Sequence, residues 1–126
     1  MPSQDAHISR EPRGFPSPAA DYKENRLKLD DLIVHPSATY FVRNKGLAME
    51  PTFHAGDILI VDRAIVALDG RAVVVIYREQ FLVRRIITMD DRVTLKADNP
   101  AFVDIVASSE QIDVWGVVTY AIHQVK

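Results

Sequence analysis

The most constraining feature of this sequence is a succession of short segments, from Thr39 to the C-terminus, that are rich in β-branched and aromatic residues and bounded by turn residues. Segments of this kind predict β-strands. The predicted strands cover residues 39–43, 57–62, 72–77, 80–87, 92–96 and 111–123. The pair Arg78-Glu79 separates two of them and predicts a hairpin turn, and residues 21–32 predict one short helix. About six strands with little helix indicate a mostly β fold.

The composition places this β fold among ordinary globular domains. The chain has 126 residues, of which 48% are hydrophobic and 25% charged, so we expect one domain with its own core. Its net charge of -2 provides no general attraction for DNA phosphates, and we expect no direct sequence-specific DNA binding. No apolar run reaches the length of about 18 residues that a membrane span needs, and the polar N-terminus does not resemble a signal peptide. We therefore expect a cytoplasmic protein without membrane contact.

Nothing in the sequence indicates a metal or cofactor site. The chain has no cysteine, which excludes disulfides, thiolate zinc sites and cysteine nucleophiles. Its four histidines are scattered without the spacing of metal ligands, and its five glycines are isolated, so no phosphate-binding loop is formed. We expect neither a metal nor a cofactor.

The first 20 residues differ from the rest of the chain. They hold four of the seven prolines and few large aliphatic side chains. Such a segment buries too little apolar surface to offset the entropy of ordering it, so it predicts a flexible N-terminal arm. The sequence thus predicts two parts, the arm at 1–20 and a folded domain at 21–126.

Six stretches of the chain carry a more specific pattern. They are GFPSPAADY at 14–22, HPSATYFV at 35–42, GLAM at 46–49, GDILIVD at 56–62, VRR at 83–85 and VWGVV at 114–118. In this order and at these spacings they resemble the UmuD-type SOS mutagenesis proteins of the LexA/UmuD self-cleaving serine peptidase family. The resemblance implies a LexA/signal-peptidase-like β domain that forms a homodimer.

The resemblance also implies a catalytic site. Family members use a serine activated by a neutral lysine to cut the bond that precedes the glycine of their own arm. In this chain Ala48 occupies the serine position and Arg84 the lysine position, Gly46 and Met49 belong to the same cleft, and the corresponding bond is Arg13-Gly14. A methyl group is no nucleophile, and a guanidinium stays protonated at physiological pH. We therefore expect no peptidase activity from the chain as it stands.

Several alternatives remain at this point. The match at Arg84 is followed by a second arginine, Arg85, so the register is open to a shift of one residue, and Lys96 is an alternative base. The two replacements are either engineered or natural. The long Arg13 side chain suits a cleavage pocket poorly unless an acid such as Asp62 or Glu79 lies nearby.

The functional expectation follows from the family. Its members are accessory subunits of UmuC-type error-prone translesion DNA polymerases, and RecA filaments on single-stranded DNA stimulate removal of their arm. Here we expect such a subunit with its self-cleavage blocked. The alternative is a naturally inactive homologue that binds and titrates UmuD-type subunits or the polymerase. An unrelated small β-barrel binding module is a third hypothesis, and it requires the six matches to be accidental.

Overall fold

A computed structural model of the chain describes residues 27–126. Residues 35–126 form one compact unit built on a seven-stranded sheet. The strands are β1 (Thr39–Arg43), β2 (Ile58–Asp62), β3 (Ala72–Tyr77), β4 (Gln80–Met89), β5 (Arg92–Lys96), β6 (Ile105–Ser108) and β7 (Ile112–Ile122). Every neighbouring pair is antiparallel, in the order β1-β2-β7-β3-β4-β5-β6. The prediction of a mostly β fold is confirmed.

The six predicted strands are present, and the sheet has one more. The strand that the sequence pattern missed is β6, which has only four residues and lies at the edge of the sheet. The turn at Arg78-Glu79 is confirmed, since both residues have positive φ (50° and 65°), as the two central residues of a type I′ hairpin require.

The helix expected at 21–32 is wrong in type where the structure describes it. Residues Leu29–Leu32 form a 3-10 helix of one turn, and residues 21–26 lie outside the described part of the chain. None of the four residues is buried. An isolated segment this short cannot sustain an α-helix without an apolar face packed against a partner. Two further 3-10 turns, at Pro36–Ala38 and Ser109–Gln111, precede β1 and β7.

The sheet buries side chains on both of its faces. Successive residues of β3 point to opposite sides, so Val73 and Val75 belong to one apolar cluster and Val74 to the other. The first cluster also contains Leu95 and the second Leu59, and all five side chains are at most 3% exposed. Burial on both faces explains why β2 and β3 are nearly continuous apolar runs.

A bulge in β7 decides where Trp115 points. Val74 pairs with Gly116 and Val75 with Val114, so Trp115 is the extra residue between them. A bulge of this kind re-aims the side chain that it carries. The glycine beside it is needed for packing, because a Cβ at position 116 would lie 2.6 Å from Cγ1 of Val61.

None of the helices within residues 27–126 has the length and apolar character that crossing a membrane requires.

Candidate functional site

The loop between β1 and β2 carries Ala48, and Asn44 closes this loop at its base. The buried Asn44 donates its backbone N–H to the carbonyl of Asp57 (2.8 Å) and accepts from the N–H of Gly56 (2.6 Å). Its side-chain Nδ2 donates to the carbonyl of His54 (2.9 Å). A buried amide with its partners supplied holds the loop in one conformation. These hydrogen bonds hold the loop that carries residue 48 without involving the side chain at that position.

A second asparagine holds Ala48 from the other side. Asn99 donates its backbone N–H to the carbonyl of Ala48 (2.9 Å) and its Nδ2 to the carbonyl of Leu47 (3.0 Å). Ala48 is 6% exposed and Met49 is 2% exposed, and Met49 packs in the same apolar cluster as Phe53. The hydrogen bonds from Asn99 and the packing of Met49 in the apolar cluster together hold the loop in place.

This loop forms one wall of a groove of about 530 Å³. The groove is lined by residues 42–49, by residues 81–84 of β4, and by Val74, Phe102 and Trp115. The four residues that the sequence assigned to the cleft, Gly46, Ala48, Met49 and Arg84, all line it. Two segments 36 positions apart in the sequence are thereby brought to one cavity.

The groove is cationic although the chain as a whole is not. Arg43, Lys45 and Arg84 line it, and none of the described residues that line it is acidic. Arg43 is engaged at the rim, where Nη1 donates to the carbonyl of Gly56 (2.8 Å). The excess positive charge is therefore local to the groove, within a chain of net charge -2.

Arg84 lies in this groove with little to compensate its charge. Its Nη1 donates to the carbonyl of Val83 (2.9 Å), and its Cζ lies 5.9 Å from the centre of the Phe102 ring. Its Nε is shielded from solvent and has no hydrogen-bond partner in the structure. Burial lowers the pKa of Arg84 below that of a free arginine. The group nevertheless remains a cation, because a guanidinium is too basic to be deprotonated in a protein.

The next residue, Arg85, has the opposite environment. Its Nε and Nη2 donate to the two carboxylate oxygens of Asp98 (3.0 and 2.7 Å), and its Nη1 donates to the carbonyl of Gly70 (3.0 Å). The hydrogen bond with Asp98 raises the pKa of Arg85 and lowers the pKa of Asp98. Such a bidentate pair is the strongest form of an exposed or half-buried ion pair. Arg85 is thus a structural residue and does not line the groove.

The other residues considered from the sequence lie elsewhere. Lys96 is exposed at the end of β5, opposite Arg85, and does not line the groove. Neither Asp62 nor Glu79 lines it, and Asp62 accepts instead from Nδ1 of His35 (2.6 Å). The bond that the resemblance implies as the cleavage site, Arg13-Gly14, lies outside the described residues.

The described groove has no hydroxyl at position 48 and no amine at position 84, and Lys45 is the one lysine in its described lining. Its lining contains no hydroxyl, thiol or carboxylate, and the side chain at position 48 is a methyl group. Arg84 and Arg43 cannot accept a proton. Residues 27–126 also contain no cluster of three or more His, Asp or Glu side chains placed to hold a metal ion. The arrangement presents apolar walls and positive charge to a ligand.

A second group of ionisable side chains supports the loop from behind. Asp57 is 2% exposed and accepts from the backbone N–H of His54 (2.8 Å) and from Nδ1 of His123 (2.7 Å). Burial pushes the pKa of Asp57 upward, but these two hydrogen bonds together leave its pKa below the ordinary value. His54 Nδ1 donates to Glu50 (2.8 Å), and this hydrogen bond raises the pKa of His54.

Sequence reasoning missed the residues that support the groove. Asn44, Asn99 and Asp98 were not predicted to have any role, and Trp115 was placed only within a strand. The residues Asp98-Asn99-Pro100 are typical of a turn after a strand, but this pattern does not indicate what their side chains contact, because those partners are distant in the sequence. Two polar residues before a proline are also a common turn pattern, so the signal carries no specific function.

Comparison with known proteins matches this architecture to a peptidase family. The profile of the Peptidase S24-like family matches residues 6–119. Protein MucA of Salmonella typhimurium is 38% identical over 120 residues, which cover 92% of this chain and 82% of MucA. Protein SamA of Salmonella typhimurium strain LT2 is 39% identical over 117 residues, covering 91% of this chain and 81% of SamA.

A more distant match extends to a repressor. The LexA repressor of Dechloromonas aromatica is 31% identical over 101 residues, which cover 79% of this chain and half of the repressor. The family match spans most of the sequence, and two relatives are covered over most of their own length. The chain belongs to the Peptidase S24-like family, and the resemblance to UmuD-type and LexA proteins that the six motifs indicated is confirmed.

Proposed function

We propose that this chain is a UmuD-type accessory subunit of an error-prone translesion DNA polymerase in the SOS response, and that it acts by binding without cutting its own arm. The supporting observation is a single groove lined by both Ala48 and Arg84, without any hydroxyl, thiol or carboxylate among its described residues. A serine peptidase of this type needs an alcohol to attack and a neutral amine to take its proton. No hydroxyl is present in the described lining, and Arg84 stands where the resemblance places the lysine; the one lysine of that lining, Lys45, lies three residues before Ala48 on the same loop.

The scaffold of the groove supports a retained binding role. Asn44 and Asn99 hold the loop through hydrogen bonds to its backbone, and these bonds do not depend on the side chain at position 48. Loss of the two reactive groups therefore removes the chemistry and leaves the shape of the cleft. A subunit of this kind keeps its arm at Arg13-Gly14 and presents the full-length form to its partners.

The proposed partners are those of the family. They are a second copy of the chain in a homodimer, a UmuC-type DNA polymerase, and the RecA filament on single-stranded DNA as the stimulus to which cleavable members respond. Because the chain cannot respond by cleavage, its association with the polymerase is expected to be independent of RecA.

The experiment has two readouts on the full-length chain. Incubation with RecA, ATP and single-stranded DNA is expected to leave one full-length species on a denaturing gel and in intact-mass spectrometry, with the LexA repressor in the same tube as a positive control for filament activity. A shortened product that begins at Gly14 would refute the proposal. The second readout is co-purification with a UmuC-type polymerase, which is expected with and without RecA, and whose absence would refute the accessory role.

A further inference from the structure

The groove combines apolar walls with positive charge that no acidic residue of its described lining balances. Phe81, Phe102 and Trp115 supply aromatic surface, and the cationic side chains of Lys45 and Arg84 line the same groove. Phe81 is 65% exposed and packs edge-on against Trp115, with ring centres 6.2 Å apart. An exposed aromatic surface next to fixed positive charge is complementary to a segment that carries both apolar and acidic side chains.

Arg84 is the groove residue whose hydrogen bonds such a ligand would complete. Its Nε lacks a hydrogen-bond partner and is shielded from solvent, and its only hydrogen bond in the described structure goes to the carbonyl of Val83. A half-buried cation without a carboxylate loses hydration that nothing replaces. A carboxylate brought beside the guanidinium restores that loss through charge-assisted hydrogen bonds.

The edge of the sheet favours an extended ligand. β1 pairs only with β2 among the described strands, and its residues Val42 and Arg43 form part of the groove wall. The other edge of β1 has no strand partner in residues 27–126, on a strand whose residues Val42 and Arg43 line the groove. An extended peptide is the ligand that uses an open strand edge and places alternate side chains in pockets.

The same charges disfavour the chain's own cleavage segment. The residues just before Gly14 are Arg10, Glu11, Pro12 and Arg13, with a net positive charge. Placing Arg13 beside Arg84 sets two cations against each other in a partly desolvated cavity, where like charges repel more strongly than in water. The groove is therefore better suited to an acidic segment than to the bond it would have to receive as a self-cleaving peptidase.

We propose that the groove is a docking site for an extended segment of a partner protein in which an acidic side chain, flanked by apolar ones, binds Arg84. This inference rests on the proposed function, because it assumes that the cleft binds without cutting. Arg84 would then be a specificity-determining residue, which selects carboxylate-bearing segments in place of the small, neutral residue that the family's cleavage pocket takes.

The experiment uses the full-length chain and its built-in reporter. Trp115 is the single tryptophan of the sequence and lines the groove, so its fluorescence responds to occupancy of that cavity. The probes are three pools of acetylated and amidated peptides, X-X-Asp-X-X, X-X-Asn-X-X and X-X-Lys-X-X, where X is an equal mixture of Ala, Val, Leu and Phe. With blocked ends, the central residue is the only charge. The Asp pool is expected to bind about tenfold more tightly than the Asn pool, and the Lys pool more weakly than both.

Three variants assign the preference to one residue. Arg84→Gln is expected to abolish the difference between the Asp and Asn pools, Arg84→Lys to keep part of it, and Arg92→Gln, an exposed change on β5, to keep all of it. Thermal melts of each variant establish that it is folded. Equal binding of the Asp and Asn pools, a preference that survives Arg84→Gln, or no Trp115 response to any pool would overturn the inference. Each of these results leaves the cleavage and polymerase readouts unaffected, so the two proposals fail separately.

Discussion

The two consecutive arginines of β4, Arg84 and Arg85, have opposite environments in the same sheet. Arg85 donates two hydrogen bonds to Asp98 and one to the carbonyl of Gly70, and its pKa is raised. Arg84 lies in the groove with no carboxylate among the described lining residues, one N–H without a partner there, and its pKa lowered by burial. Adjacent residues of a strand point to opposite faces, so a single position separates a satisfied cation from an uncompensated one.

Arg85 has a structural role within the sheet, whereas for Arg84 we propose a binding role. Asp98 also accepts from Thr52 Oγ1, so the Arg85 pair ties β4 to the loop that carries Ala48. Arg84 makes no comparable contribution within the described structure and carries a desolvation cost. A costly charge in a cavity is more readily explained by a ligand than by stability. Substitutions of Asp98 and of each arginine test this difference directly.

The largest effect is expected from removing the partner of Arg85. Asp98→Ala leaves Arg85 without its carboxylate and Thr52 without its acceptor, and we expect a loss of about 3 kcal/mol in the free energy of unfolding. Urea denaturation followed by circular dichroism measures it, with Asp104→Ala, an exposed aspartate on the same segment, as the control. A loss no larger than that of the control would mean that the pair contributes nothing.

Replacing each arginine by methionine sets the two sites against each other. Arg85→Met leaves the Asp98 carboxylate without its guanidinium partner, so we expect a loss of about 2 kcal/mol in the free energy of unfolding. Arg84→Met removes a cation with an unsatisfied N–H and keeps apolar volume, so we expect no loss and a gain of up to about 1 kcal/mol. Both are read from urea denaturation under the same conditions. Equal losses would contradict the distinction between the two sites.

The anchor of the Ala48 loop is expected to have a smaller effect. Asn99→Ala removes the Nδ2 bond to Leu47 and the Oδ1 acceptor of the Ala101 N–H, while the backbone bond to Ala48 remains. We expect a loss of about 1 kcal/mol and faster amide hydrogen exchange in residues 45–50. Gln111→Ala, which removes a comparable local side-chain bond to Ser108, serves as the control and should leave exchange in the loop unchanged.

The smallest expected effect is on how the free energy of unfolding depends on pH below about pH 5. The pKa of Asp98 is lowered by its hydrogen bond from Arg85, so the folded state holds the carboxylate more strongly than the unfolded state does. Its contribution is complete above the unfolded pKa of about 3.9 and is lost as the pH falls through the folded pKa. Between pH 5 and pH 2, the free energy of unfolding measured by urea denaturation should therefore fall less steeply in Asp98→Asn than in the parent chain. Equal slopes for the two proteins would show that Asp98 does not contribute to the acid dependence of stability.

The sequence predicted the strands and the groove residues for different reasons. Strands such as 72–77 are visible locally because burial on both faces demands an apolar run, and adjacent Arg84 and Arg85 had to divide between two faces. The choice of face, the Asp98 partner of Arg85 and the Asn99 anchor depend on contacts between distant positions, which no local pattern records. The bulge that aims Trp115 into the groove is likewise a property of strand register.

The central claim is that the site has lost two reactive groups and kept its scaffold, and restoring those groups tests it most directly. In a background of Arg13→Ala, which supplies the small residue expected before Gly14, the double change Ala48→Ser with Arg84→Lys should yield a product that begins at Gly14 in the presence of RecA, ATP and single-stranded DNA. Either change alone, and the parent chain, should remain full length by intact-mass spectrometry. Cleavage of the parent chain, or no cleavage of the restored chain, would contradict the account.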